Sequence, residues 1–273
     1  LQRLIKRILF IFILLVSSLS FSQLSKNHYI PPISSGPSNA DPLDQLMYIS
    51  TPSQGDVNFT INIVGGNSIS GTVSNATPYV YGIADSGYSS FVQDPATTSR
   101  VTSDKGYIIN ADSPIYVSVR LNAGGTAQAG ALVSKGENAL GTTFRIGTYD
   151  SQRAGAPGPN YLNFFSFMAT EDNTTVNLIN ERVTSGLAIE NAGAQQFPIN
   201  NISLNRGQTY VVAVSPDDSE QNKAGLIGTL VSSDKPIVVN AGSANGSFSN
   251  GGGRDYGIDQ IVELSKVGKE YVF

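Results

Sequence analysis

Alternation of apolar and polar residues dominates the chain. Ile115, Val117, Val119 and Leu121 alternate with Tyr116, Ser118, Arg120 and Asn122, the period of a strand with one face against a core. Val57, Phe59, Ile61 and Ile63 alternate in the same way with Asn58, Thr60 and Asn62. Shorter runs predict strands at 46–50, 69–73, 79–83, 106–109, 131–134 and 143–148, and again at 165–170, 175–179, 202–204 and 209–214. Turn chemistry separates nearly all of them, as at Gly65-Gly66-Asn67, Asp85-Ser86-Gly87 and Gly124-Gly125. Past residue 22 no stretch sustains a helical period, although Ile258, Ile261 and Leu264 are spaced for a turn or two of helix. The pattern predicts an all-β protein.

The pattern also occurs twice. Gly106 to Ser118 and Gly228 to Asn240 align without a gap at an offset of 122 residues, and Val57-Asn58 aligns with Val176-Asn177 at an offset of 119. Each copy of the first pair predicts a strand, an Asp-x-Pro turn (Asp112-Ser113-Pro114, Asp234-Lys235-Pro236) and a second strand, because Asp caps a turn and Pro presets its backbone angle. Ile237, Val239 and Ala241 keep the phase of the first copy. A repeat of this length exceeds a solenoid rung or propeller blade, at ~20–50 residues. The expectation is an internal duplication that gives two tandem β-sandwich-like units after a signal peptide. The predicted division is 1–22 signal peptide, 23–45 extended N-terminal arm carrying Pro31-Pro32 and Pro37, 46–152 first unit, 153–160 Gly/Pro linker, and 161–273 second unit. Whether the units share one core stays open at this level.

Arg3, Lys6 and Arg7 precede an apolar run from Ile8 to Val16 and the small residues Ser20 and Ser22. Nine helical residues reach only about 14 Å, against roughly 30 Å of bilayer hydrocarbon. A secretory signal cleaved between Ser22 and Gln23 is therefore expected. Its removal takes the net charge from −4 to −7, since 14 basic residues then face 21 acidic ones. That balance excludes nucleic acid as a natural partner. An exported chain without cysteine suits a bacterial envelope or secreted protein better than an animal one. The apolar end Tyr271-Val272-Phe273 reads as the middle of a strand, so a longer protein is expected.

Candidate chemistry is sparse. The single histidine, His28, falls in the predicted arm, where a solvated or loosely packed ring is expected rather than a catalytic one. One histidine and no cysteine nearly exclude zinc. Carboxylates cluster at Glu171-Asp172, at Asp217-Asp218 with Glu220, and at Asp255 with Asp259, without an accompanying catalytic motif. No cofactor is expected; Asp217-Asp218-Ser219-Glu220 is the one loop with oxygen ligands for calcium. The stretch from Ala244 to Tyr256 is long and without apolar period, whereas its counterpart after Asn122 has no aromatic or charged residue. Divergence at one loop of a duplicated scaffold marks that loop for a task, and Phe248, Arg254, Asp255 and Tyr256 are the candidate ligand or partner surface.

Several segments resemble one known family. They are Ser232 to Ser243, Asp255-Tyr256-Gly257-Ile258-Asp259-Gln260 to Leu264, Gly268 to Phe273, Phe21 to Pro32, and Ala139 to Gly147. Together they resemble the N-terminal domain of IgGFc-binding proteins, in the bacterial branch found at the start of large Bacteroidetes surface proteins with a gliding-motility-associated C-terminal sorting domain. The cysteines that eukaryotic members carry near the acidic-Gln motif are absent here. The resemblance implies an all-β, noncatalytic module, secreted or at the outer cell surface, that binds an extracellular protein or glycan and meets a membrane only during export through the Sec and type IX routes. A passive spacer, or an accessory module of an exported hydrolase, are the alternative readings.

Overall fold

The computed structural model describes residues 23–35, 42–123, 128–148, 162–183, 185–216, 219–246 and 255–267. The first part of the chain forms β1 (Ser25–Ile30), β2 (Ile33–Ser34), β3 (Pro42–Ser50), β4 (Val57–Ile63), β5 (Ser68–Val73), β6 (Tyr79–Ala84), β7 (Val92–Gln93), β8 (Val101–Thr102), β9 (Tyr107–Ala123) and β10 (Gln128–Val133). The second part forms β11 (Gly141–Arg145), β12 (Asn163–Ala169), β13 (Thr174–Ile179), β14 (Ile199–Leu204), β15 (Thr209–Val214), β16 (Leu230–Gly246) and β17 (Asp255–Ile261). The protein is all-β, with two curled sheets. One is ordered β5-β4-β9-β3-β6, with β1 and β10 also on β9; the other is ordered β14-β13-β16-β12-β15-β8, with β11 and β17 also on β16.

β9 and β16, 17 residues each, organise the two sheets. The Asp-x-Pro sequences make no hairpin turn; both strands run straight through them. At this point each strand exchanges one set of neighbours for another. Residues 107–111 of β9 pair with β4, whereas 116–123 pair with β3 and 118–123 with β10. In β16, residues 230–233 pair with β13, and 237–243 with β12. A proline lacks the N–H a continuous ladder needs, so it fits where pairing changes hands. The corner is fixed alike in both halves: Thr51 Oγ1 donates to the Pro114 carbonyl (3.0 Å) and Thr170 Oγ1 to that of Pro236 (2.7 Å). Asp112 accepts from Asn58 Nδ2, and Asp234 from the Thr175 amide, both at 2.7 Å.

The expected faces are observed. Ile115, Val117 and Val119, and likewise Ile237 and Val239, are fully buried. The segment expected to turn helical, 257–264, is instead mostly strand β17, followed by a single 3-10 turn at Leu264–Lys266.

Residues 23–35 are no free arm. β1 pairs with β9 through Asn27↔Asn110 to Ile30↔Tyr107, and Ile30 and Ile33 are fully buried. Pro31 and Pro32 end the strand, yet their carbonyls are docking points, accepting from Asn240 Nδ2 (2.8 Å) and Ser166 Oγ (2.5 Å). The register shows what β1 is. Ser25 and His28 face Ile115 and Ile109, and Gly141 and Phe144 on β11 face Ile237 and Val231. β11 is thus the first strand of the second unit, although it falls in the predicted first one. The duplicated units run from β1 to β10 and from β11 to β17. The boundary between them lies near residues 134–140, and residues 153–160 lie outside the described ones.

The units interlock. One core cluster is built from β12, β13, β14, β15 and β16 with Phe144 of β11. The other is centred on β3, β4 and β9 but takes in Leu162, Phe164, Ala213, Ala244 and Tyr256 from the second unit. β12 and β15 are accordingly buried along their whole length, as strands covered on both faces are.

His28 sits at this junction, fully buried. Nε2 lies 3.0 Å from the Ile115 carbonyl and 3.2 Å from that of Ser25, so it carries the proton, and Nδ1 accepts from Ser134 Oγ at 2.9 Å. The ring is a satisfied structural group, contrary to the solvated one expected. Burial lowers its pKa below 6.5, against opposing contributions from the two carbonyls and Glu137. An unfolded chain binds a proton here as pH falls through about 6.5, while the folded chain resists it. Stability is therefore full above that pH and declines below it. Urea midpoints at pH 7.5 and pH 5 are expected to differ less for His28→Gln, which keeps a donor but does not titrate, than for the parent.

Candidate binding groove

β17 continues the alternation that its sequence carries. Tyr256 and Gln260 point inwards and Asp255 and Asp259 outwards. It pairs with β16 through Val239↔Ile261 to Ser243↔Gly257. The two strands approach closely because neither Gly242 nor Gly257 has a side chain: a Cβ on Gly242 would lie 2.1 Å from the Gly257 carbonyl. On the outer side of this seam opens a groove of about 490 Å³, lined by Gly147, Thr148, Ala241, Gly242, Tyr256, Gly257, Ile258 and Asp259. Its floor is small residues and backbone, and its rim carries the exposed carboxylate of Asp259.

The residues singled out from sequence divide here. Phe248 and Arg254 lie outside the described residues. Asp255 is exposed where β17 begins, and its Oδ1 accepts from the Ala129 amide at 3.0 Å. Tyr256 is not a surface ring. It is 5% exposed, belongs to the first unit's core and shares a 2.9 Å hydrogen bond with Ser35 Oγ. It lies across Gly130, whose added Cβ would meet the Tyr256 Cβ at 2.5 Å. Tyr256 therefore ties the units together and only borders the groove. Period-two alternation of Tyr256, Ile258 and Gln260 was the signal for this, and the helical spacing of Ile258, Ile261 and Leu264 competed with it.

The Asp259-Gln260 pair has a divided role. Asp259 forms an ion pair with Lys135 at 2.8 Å, and Lys135 Nζ also donates to the Gln260 carbonyl. The Gln260 side chain is fully buried. Its Oε1 accepts from the Lys135 amide (2.7 Å), and its Nε2 donates to the Tyr29 carbonyl (2.9 Å) and Asn240 Oδ1 (3.3 Å). It joins β1, β16 and the turn after β10 in one clamp. Glu263 fastens the other end of the same region: its carboxylate accepts from the amide (2.9 Å) and hydroxyl (3.1 Å) of Thr142, and the amide bond foremost holds its pKa below the usual carboxylate range.

Among the described residues no three His, Cys, Asp or Glu side chains gather as a metal site would require. Asp217 and Asp218 lie outside the described residues, and Glu220 is paired with Lys223 at 2.7 Å. No helix among the described residues is long and apolar enough to cross a membrane. The fold is a repeated β scaffold that carries this groove. A family model described as IgGFc binding protein matches residues 129–273, just over half of the chain, and the chain belongs to that family. No curated protein and no solved structure matches it.

Proposed function

We propose that the chain is an exported, noncatalytic module at the head of a larger surface protein, and that it binds an extracellular protein in the groove between β16 and β17. One observation carries this reading: every residue lining the groove lies in the segment that matches the binding family. Residues 247–254, which carry Phe248 and Arg254, lie in sequence between the two strands that form the groove. Asp259 supplies a charged rim and the glycine floor leaves backbone groups within reach, an arrangement suited to a protein surface more than to an enclosed small molecule. Export rests on the basic, apolar and small-residue order of residues 3–22. The type IX route and the larger protein rest on the resemblance to Bacteroidetes surface proteins.

Gly147 offers a clean test. A Cβ there would meet nothing within 4 Å, so a large side chain fills the groove without disturbing the fold. Immobilised immunoglobulin Fc and a panel of secreted proteins are the probes, read by biolayer interferometry. A partner retained by the parent is expected to bind Gly147→Trp at least about tenfold more weakly, a loss of roughly 1.4 kcal/mol, at an unchanged melting temperature. Equal binding by both proteins would move the site off the groove, and no retained partner would favour a passive spacer.

A further inference from the structure

We propose that the outer face of β1, β9, β4 and β5 is a second binding site, for a neutral glycan. This face is remote in sequence from the family-matched groove and does not depend on it. Direct cross-strand partners Asn27, Asn110, Thr60 and Ser70 form a row across four strands, about 14 Å long at ~4.8 Å per strand. A hydrogen-bonded chain runs along it in one direction. Ser68 Oγ donates to Asn62 Oδ1 (2.8 Å), Asn62 Nδ2 to Asn110 Oδ1 (3.1 Å), Asn110 Nδ2 to Asn27 Oδ1 (2.8 Å), and Asn27 Nδ2 to Glu137 (2.7 Å). Within the row Thr60 meets Ser70 at 3.3 Å, and beside it Asn58 Nδ2 donates to Asp112 at 2.7 Å. A cleft of about 280 Å³ opens among Asn58, Thr60, Ser70, Asn110 and Asp112.

The scaffold does not require this arrangement, because the duplicate unit does without it. Matched through their partners on β16, Asn27, Asn110 and Asn62 correspond to Thr143, Ser232 and Ile179, and Thr60 to Asn177, so one amide stands where the first unit has a linked chain of three. The edge strand there is interrupted by a register shift, and Asn201 has a φ of 59°. The second sheet folds with an exposed apolar residue, Ile179, at the matching place, where β13 ends opposite the start of β16. The amides of the first unit therefore answer to something other than sheet formation.

Chemistry selects the ligand class. An amide carries two donors and a carbonyl with two lone pairs, and half-exposed amides in a fixed orientation match hydroxyl groups that both donate and accept. The lining holds no cation, and carboxylates stand at two points, Asp112 and Glu137. Phosphorylated, sulfated or sialylated ligands are repelled, and an apolar peptide finds only Phe59 and Ala111 among an otherwise polar lining. A row of this length suits a short neutral oligosaccharide better than a free monosaccharide.

The test is retention of the full chain on an array of glucose, mannose, galactose and N-acetylglucosamine oligomers, with sialylated and sulfated glycans alongside. At least one neutral series is expected to be retained. Asn62→Ile, which places the second unit's own residue at the matching position, and Ser70→Arg, which covers the cleft from an exposed site, are each expected to weaken retention at least about tenfold at unchanged melting temperature. Gly147→Trp is expected to leave glycan retention as it was, which separates this site from the groove. Retention of charged glycans only, no retention by the parent, or parental retention by both face variants would overturn the proposal.

Discussion

Val117→Asp is expected to abolish folding of the first unit and to loosen the second. Val117 is fully buried at the centre of β9, opposite Ile49 on β3, within the cluster that also holds Phe164, Ala213 and Ala244 of the second unit. The substitution removes a buried aliphatic side chain, at a cost of about 1.5–3 kcal/mol, and introduces a carboxylate with no partner in that cluster, which costs more. The sum is comparable with the whole stability of an ordinary domain, roughly 5–15 kcal/mol. Circular dichroism and a urea titration read the outcome. A parental midpoint would show that the inward phase of β9 is wrong, and an unfolded first unit beside a fully native second one would show that the shared cluster couples them weakly.

Gln260→Ala is the second large effect. The residue is enclosed and joins three segments, so its removal leaves the part-buried Lys135 amide and Tyr29 carbonyl without their side-chain partner. Each buried group left without a partner costs about 1–3 kcal/mol, so a loss of roughly 2–5 kcal/mol is expected. The neighbouring Asp259→Asn breaks an ion pair whose carboxylate is 64% exposed, and pairs of that kind contribute at most about 1 kcal/mol. The comparison is diagnostic: in a denaturant titration the glutamine variant should fall well below the aspartate variant. Limited proteolysis should cut the glutamine variant first between residues 23 and 35. Equal midpoints would mean that the clamp contributes no more than a surface pair.

Much of this architecture could be read from alternation. β9 and β16 displayed their inward faces, and the repeated Asp-x-Pro-Ile correctly paired one corner with the other. What misled was local chemistry read without its tertiary partners. Asp-x-Pro commonly makes a turn, but here Thr51 and Thr170 hold the proline carbonyls so that the strand continues past a change of neighbours. Pro31-Pro32 signals a break, and the signal cannot show that Asn240 and Ser166, more than 130 residues away, bind their carbonyls. The match of Val57-Asn58 to Val176-Asn177 was two residues out of step. Opposite Ala111 and its counterpart Ser233 stand Phe59 and Val176. A slip of two leaves the inward face inward, so alternation alone could not detect it. At the candidate site, Asp255 is exposed, whereas Tyr256 is buried against Gly130, a residue in the other unit that the local sequence cannot reveal.

The tie between β1 and the far end of the chain also fixes an order of events. Tyr29 waits for Gln260, and Pro31 for Asn240, contacts that span 231 and 209 residues. Closing loops of that size comes late, because their entropy must be lost before any contact is gained. A chain emerging from its N-terminus can pair β1 with β9 once residue 115 has followed, but the contacts of Gln260 and Asn240 with Tyr29 and Pro31 wait until nearly all of the described sequence is out. A chain of this topology cannot lock into its final form until the second unit has been made.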